Sequence, residues 1–273
     1  MSTGECVDPA ILAAVRRAGL DTVEGAFAFG GGADLAKPGL GHRQRTRIQL
    51  EDDQGKKHEL YLKRYGREPV IRRLRRWLTY GWGSGPAGVE FANVAAARAA
   101  GLPTTQPVAC GEEGGCCGPG RGYVILTAVP GDAVERVFAD FLSRHGNDDA
   151  VERFTMELAR LVRSLHRSGY VHRDLYSSHI FLDDSEGGLS LYLIDLARMF
   201  RPRWRRLRWL VKDLAQVKYS MPAAWNDRYW NVFLAAYLGS GADRHFGRFV
   251  RAIDRKVRRM SRRRDRGQAA EGI

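Results

Sequence analysis

At 273 residues with 44% hydrophobic content, the chain holds enough apolar material for one large domain or two lobes, which argues for a globular protein and against a disordered one. A formal net charge of +13 at pH 7 draws it to polyanions, whether nucleic acid, anionic lipid or a phosphorylated substrate, without choosing among them. Four cysteines, Cys6, Cys110, Cys116 and Cys117, are too few and too clustered for a secreted disulfide framework; lacking paired C-x-x-C spacing, they read as reduced thiols of a cytosolic chain rather than as a zinc site.

Met1 to Pro9 contain acids and no basic start followed by an apolar run, so no cleaved signal peptide is expected. The longest apolar stretches, such as Val232 to Leu238, fall far short of the roughly 20 residues that span a bilayer, which leaves only peripheral membrane contact. From Arg45 to Tyr65 two alternating runs flank a polar turn at Asp52 to Lys57, predicting a hairpin whose second strand ends at Lys63. The alanine-rich run Pro86 to Ala100 predicts a helix with Pro86 in its first turn, Glu90 just inside it and Gly101 as its stop. A glycine-rich turn from Gly111 to Gly122 precedes Tyr123-Val124-Ile125-Leu126, a run suited to a buried strand, and completes a strand-rich N-terminal lobe over 1–129.

Past Pro130-Gly131 the period changes. Val151, Phe154, Leu158, Leu161, Val162 and Leu165 fall at helical spacing up to a stop at Gly169. Ile180-Phe181-Leu182 and Leu189 to Ile194 read as strands on either side of a turn at Asp183 to Gly188. The remainder to about Arg255 is helical in character, giving a C-terminal lobe over 130–255, and 256–273 reads as a frayed basic tail. No internal repeat is visible.

The strongest chemical signal is His172-Arg173-Asp174 after the long helix, followed by Asp195 at the end of an apolar strand. Phosphoryl transfer needs a group to orient or deprotonate the attacking hydroxyl, a carboxylate on the metal bridging the ATP phosphates, and a cation on those phosphates. The hairpin between the two acids is expected to bring its mouths together, Asp174 by the acceptor and Asp195 by the metal. The run H-R-D-L-Y-S-S-H resembles the protein-kinase catalytic loop H-R-D-L-x-x-x-N, and Ile194-Asp195-Leu196 stands in the place of D-F-G. Lys63 holds the position of the strand lysine, with Lys56, Lys57 and Arg64 as competitors, and Glu90 is its expected ion-pair partner. These parts together predict an α+β, protein-kinase-like bilobal fold, with a small antiparallel-sheet N-lobe and a mainly helical C-lobe, using ATP and Mg²⁺.

Two features depart from that pattern. No G-x-G-x-x-G precedes Lys63; the candidates for wrapping phosphates are Gly30-Gly31-Gly32 and Gly39-Leu40-Gly41, with Gly39 and Gly41 taken as nucleotide-binding residues. His179 stands where a metal-binding Asn is usual; it binds metal, contacts phosphate or braces the loop.

Beyond the kinase core, Gly169-Tyr170-Val171-His172-Arg173-Asp174-Leu175-Tyr176-Ser177-Ser178-His179 resembles the lipopolysaccharide kinase (Kdo/WaaP) family, whose loop reads H-R-D-x-Y-x-x-H. Leu60 to Tyr65, Glu90 followed by Ala100 to Thr104, Leu193 to Arg198 and Trp209 to Ala215 carry the same likeness, which covers roughly residues 40–240. The resemblance implies an ATP-dependent kinase acting on a sugar hydroxyl, heptose or Kdo, of the lipopolysaccharide inner core, at the cytoplasmic face of the inner membrane, with Asp174 as the catalytic aspartate. The Gly111 to Gly122 insertion departs from it.

The charge distribution suits an anionic, membrane-bound acceptor. Arg64, Arg67, Arg72, Arg73, Arg75 and Arg76 precede Trp77, and Arg201, Arg203, Arg205, Arg206 and Arg208 interleave with Trp204 and Trp209. Forked guanidinium donors match phosphate, and tryptophan favours the headgroup level, so these stretches predict peripheral contact with an anionic membrane. A solvated basic face is the plain alternative. Nucleic acid is not expected as a partner, because binding it needs no catalytic constellation. The competing readings are a protein kinase or small-molecule phosphotransferase of the same fold, and a non-catalytic polyanion-binding pseudokinase.

Overall fold

The computed structural model describes residues 8–35, 43–81, 85–113, 120–145, 148–185, 188–239 and 246–271. Its contacts divide into two compact units, Met1–Val129 with Asp195–Ala197, and Pro130–Ile194 with Arg198–Ile273.

In the first unit, α1 (Pro9–Arg17) starts at Asp8, whose carboxylate accepts the Ala10 N–H at 2.9 Å, and has Pro9 at its first position. It is followed by α2 (Val23–Ala28), β1 (Ala33–Asp34), β2 (Arg43–Glu51), β3 (Lys57–Tyr65), α3 (Val70–Tyr80), α4 (Pro86–Ala99), β4 (Pro107–Glu112) and β5 (Gly122–Thr127). The strands form an antiparallel sheet in the order β1-β2-β3-β5-β4. The predicted hairpin turn is held by Asp52, whose Oδ1 accepts the N–H groups of Gln54 (2.9 Å) and Lys56 (3.0 Å) while Gly55 takes a φ of 79°. The predicted stop of α4 is also physical: Gly101, at φ 73°, donates to the Arg98 carbonyl and Leu102 to that of Ala97, closing the last carbonyls of the helix.

Alternation along β3 decides what each face carries. Leu60 and Leu62 point into a core with Ile48, Val108, Tyr123 and Ile125, covered by Ile11 and Val15 of α1 and Ala26 of α2. Lys63 and Tyr65 point the other way, and both bond Glu90 on α4.

In the second unit, β6 (Asp132–Ala133), β7 (Ile180–Asp183) and β8 (Ser190–Leu193) form a small antiparallel sheet, the last two being the expected hairpin. Helices α5 (Val134–His145) and α6 (Asp148–Arg167) share an aromatic cluster of Phe138, Phe141 and Phe154. Helix α6 ends as predicted at Gly169, φ 87°. Helices α7 (Arg206–Ser220), α8 (Ala223–Leu238) and α9 (Phe246–Glu271) complete the unit. Packing of α8 on α6 is pinned by Trp225, whose indole N–H donates to Thr155 Oγ1 at 2.9 Å.

The tail expected to fray after Arg255 is instead part of α9, which runs unbroken to Glu271. Arginine, lysine, glutamine and alanine are good helix formers, and α9 has a surface to pack on: Ile253 is fully buried, α9 lies along α7, and Arg264 sits over the Tyr219 ring at 5.7 Å. Of the first arginine group, Arg64 and Arg76 are buried rather than part of a basic face. Arg76 pairs with Glu68, and Arg64 is tied to the carbonyls of Ala26 and Phe29.

Leu62→Ala, which opens a cavity at the centre of β3, is expected to lower unfolding free energy by about 2–5 kcal/mol in a denaturant titration. A loss under about 1 kcal/mol would mean that this sheet face is not the unit's core.

Candidate active site

In the first unit the sheet face opposite the core carries the charged cluster. Glu90, fully buried on α4, accepts from Lys63 Nζ with one carboxylate oxygen and from the Tyr65 hydroxyl with the other. An unpaired carboxylate there would be costly, so the pair fixes the lysine as firmly as the lysine satisfies the acid. Burial first, and then the Glu90 charge, push the Tyr65 hydroxyl well above its ordinary pKa, so it stays a neutral donor. Lys63 Nζ lies 3.6 Å from Asp195 Oδ1. Arg45, the cross-strand partner of Lys63, donates to Asp195 Oδ2 at 2.8 Å. Lys63, Glu90 and Asp195 are therefore brought together.

The competitors of Lys63 stand elsewhere. Arg64 points into the opposite face, and Lys56 and Lys57 are exposed at the hairpin turn. Of the glycine candidates, Gly39 and Gly41 lie outside the described residues. Gly32 has a φ of 91°, and a Cβ added there would come within 2.5 Å of the Arg47 carbonyl, so the close approach of β2 explains its glycine. Cys110 stands on β4, and Cys6, Cys116 and Cys117 lie outside the described residues.

In the second unit Asp174 is carried by a loop whose backbone is tied on both sides. Asp213 of α7, fully buried, accepts the His172 N–H at 2.7 Å through Oδ2 and the Arg173 N–H at 2.9 Å through Oδ1. Gln216 accepts the Leu175 N–H at 3.2 Å and Ser220 that of Ser177 at 2.8 Å. His172 is the opposite brace: its Nδ1 accepts the Asp174 N–H at 3.3 Å, so Nε2 carries the proton and donates to the Ile194 carbonyl at 3.0 Å. His179 donates from Nδ1 to the Asp174 carbonyl at 2.7 Å and stacks against His172 with ring centroids 6.0 Å apart. The Arg173 guanidinium lies 5.3 Å from the ring centroids of both Phe200 and Trp209.

Two cations meet the Asp174 carboxylate. Arg198 Nη1 donates to both oxygens at 2.8 Å, and Lys212 Nζ lies 3.8 Å from Oδ1 while bonding the Arg173 carbonyl. Among the described residues, Arg173 (φ 73°), Asp195 (φ 59°) and Arg205 (φ 53°) are the non-glycine residues with positive φ. Two of these three belong to the predicted motifs. Such backbone costs on the order of 1–3 kcal/mol and persists where surrounding bonds impose it.

Sequence reasoning gave no role to Asp213, Lys212, Arg198 or Arg45. A signal for the first was present: Asp213, Gln216 and Ser220 recur at i, i+3 and i+7, a polar stripe along a helix whose neighbours Leu214, Ala215 and Val217 are buried.

A strand lysine locked to a helix glutamate, and a loop aspartate hung from a buried helix carboxylate, define the class: a protein-kinase-like phosphotransferase. The α+β fold expected from the sequence, one antiparallel-sheet unit and one mainly helical unit, is the fold found. Residues 41–237 match the model of the lipopolysaccharide kinase (Kdo/WaaP) family, and the chain belongs to that family. Among solved structures it is similar to "WaaP in complex with acyl carrier protein", with a TM-score of 0.64 and 23% identity over 86% of this chain and 91% of that one, a likeness of fold. No curated protein matches the chain.

Asp213→Asn is expected to destabilise the unit by about 1–3 kcal/mol, because an amide NH₂ faces a backbone N–H where an acceptor stood. Amide exchange at residues 172–175 should quicken. Unchanged protection there would show that the loop is held by other bonds.

Proposed function

We propose that the protein is an ATP-dependent kinase that phosphorylates a sugar hydroxyl, heptose or Kdo, of the lipopolysaccharide inner core, with Asp174 as catalytic base. The observation that carries this reading is the Lys63–Glu90–Asp195 cluster, a cation and a hard carboxylate fixed 3.6 Å apart on one sheet face. Membership of a lipopolysaccharide kinase family supplies the reaction class and supports an acceptor within lipopolysaccharide.

Lys63, aimed by Glu90, bonds the ATP phosphates, with Gly39 and Gly41 as the nucleotide-binding glycines. Asp195 fits Mg²⁺, which takes one or two carboxylates and completes its shell with phosphates and water. When bound, that ion neutralises charge on the phosphates. For Asp195 to serve, Arg45 must yield its bond, and with side chains 30% and 20% exposed the pair is within reach of solvent. Asp174 orients the acceptor hydroxyl and takes its proton, while His172 and Arg173 hold the loop. His179 acts first as the brace of Asp174, since its Nδ1 is committed to that carbonyl, and its metal role is secondary.

Peripheral membrane contact belongs to the same reading. Among the described residues no helix is long and apolar enough to cross a membrane. Ile71, Leu74 and Leu78 are exposed on one side of α3, and Trp204 and Leu207 are exposed beside Arg203 and Arg205. Apolar side chains among arginines suit an anionic bilayer surface.

With labelled ATP, extracted lipopolysaccharide should be phosphorylated. Asp174→Asn should abolish transfer while preserving the fold and ATP binding. Label appearing only in added protein would move the acceptor elsewhere, and undiminished turnover of the variant would refute the base. Asp195→Ala is expected to lose Mg²⁺-dependent ATP affinity, which equilibrium binding with and without the ion would measure. Binding to vesicles containing anionic lipid should weaken with added salt and in Leu78→Glu; salt-independent or absent binding would remove the membrane contact.

A further inference from the structure

The loop after Asp174 reads Leu175-Tyr176-Ser177-Ser178-His179 and brings no lysine or arginine of its own. The cations at Asp174 come from elsewhere and differ in kind. Arg198 is half exposed at 48%, and an ion pair so exposed is worth about 0–1 kcal/mol, so an acceptor hydroxyl can displace it. Lys212 is held: its side chain is 23% exposed, and its ammonium is bonded to the Arg173 carbonyl, 3.8 Å from Asp174 Oδ1. Burial pushes its pKa down to about 8; the charges of Asp174 and Asp213 act to raise it, and those of Arg198 and Arg173 to lower it further. A neutral donor could cap a carbonyl without that desolvation. A desolvated ammonium beside a candidate base is an arrangement found where charge is used.

We propose that Lys212 is a catalytic residue of the transfer, its ammonium standing beside the acceptor oxygen at Asp174 and neutralising the phosphoryl group as it arrives. The inference rests on the assignment of Asp174 as the acceptor-side base. The acceptor oxygen forms a bond to the γ-phosphorus of ATP, its proton passes to an Asp174 carboxylate oxygen, and the bond from that phosphorus to the bridging oxygen breaks, leaving its electron pair on ADP. Lys212 transfers no proton. Its contribution is the fixed positive charge at the forming bond, of the kind whose removal costs on the order of 10²–10³ in kcat. Since only the protonated form serves, the rate should fall as pH rises through about 8.

The test is Lys212→Met, with γ-labelled ATP and extracted lipopolysaccharide. The variant should melt cooperatively, keep KM for ATP within about threefold, and lose on the order of 10²-fold or more in kcat. Lys212→Arg, whose charge does not titrate, should recover part of that loss and lack the alkaline limb of the parent. Wild-type kcat in Lys212→Met, a loss confined to KM, or the same alkaline limb in Lys212→Arg would overturn the proposal. Should Lys212→Met fail to fold, Lys212→Arg decides: inactivity or an unchanged limb counts against the charge. Asp174→Asn run in parallel separates the layers. Activity in that variant sinks the reading of Asp174, whereas its inactivity beside a fully active Lys212→Met sinks the role of Lys212 alone.

Discussion

A buried carboxylate with no exposed surface must find donors within the protein, and Asp213 finds them in the N–H groups of two successive residues, His172 and Arg173. Two consecutive amides turned toward one acid group leave the chain little freedom. Arg173 is driven to a φ of 73°, and Asp174 leaves the turn in a direction set by backbone rather than by its own side-chain contacts. The same helix continues the grip one turn at a time, through Gln216 on Leu175 and Ser220 on Ser177. His166 adds a further donor to Asp213 at 3.3 Å and in turn meets the Tyr237 hydroxyl at 2.8 Å, which ties the loop's anchor to α8. Preorganisation of this kind allows a side chain to act without paying for its ordering at the moment of reaction.

The sheet unit reaches a comparable rigidity by a different route. Strand alternation gives Lys63 and Arg64 opposite faces, so two adjacent basic residues take unrelated tasks. Arg64 spends its donors on carbonyls of Ala26 and Phe29 and on Thr46, fastening α2 to the sheet. Lys63 meets the buried Glu90, which cannot be satisfied by one donor and takes Tyr65 as a second. A slip of one residue along β3 would exchange these faces, and the core leucines at 60 and 62 forbid it.

Much of this was legible in the sequence where the signal was local. The hairpin at 45–65, the helix from Pro86 to the glycine stop, the long helix ending at Gly169 and the hairpin after His179 all carry their own punctuation, and Lys63, Glu90, Asp174 and Asp195 were named from motif order. What escaped depends on tertiary partners. Helices α1, α2 and α3 are short, and the first two are held by burying small apolar faces on a sheet formed later in the chain. The basic stretch past Arg255 is helical because α7 offers a surface, which composition alone does not reveal. Arg64 and Arg76 looked like parts of one cationic patch because charge is read along the chain, while burial is decided across it. Asp213 bonds a loop some forty residues earlier; its polar stripe with Gln216 and Ser220 marks a helix face but does not say which loop that face grips.

The two candidate carboxylates share an electrostatic design, each within its own unit. Asp195 has Arg45 at 2.8 Å and Lys63 at 3.6 Å; Asp174 has Arg198 at 2.8 Å and Lys212 at 3.8 Å. In both cases the arginine is the closer and more exposed partner, while the lysine is the more buried and is tied to another acceptor, Glu90 in one case and the Arg173 carbonyl in the other. The difference follows from what each group does well. Arg198, half exposed, adds little stability to its carboxylate and exchanges easily, while Arg45, 30% exposed, is held more closely. A lysine anchored to a second acceptor keeps its place when the carboxylate's other partner moves, and its charge is compact. With the more exposed arginine on one side and the more buried lysine on the other, each carboxylate is surrounded by positive charge within its own unit, the kind of field that suits a polyanionic group.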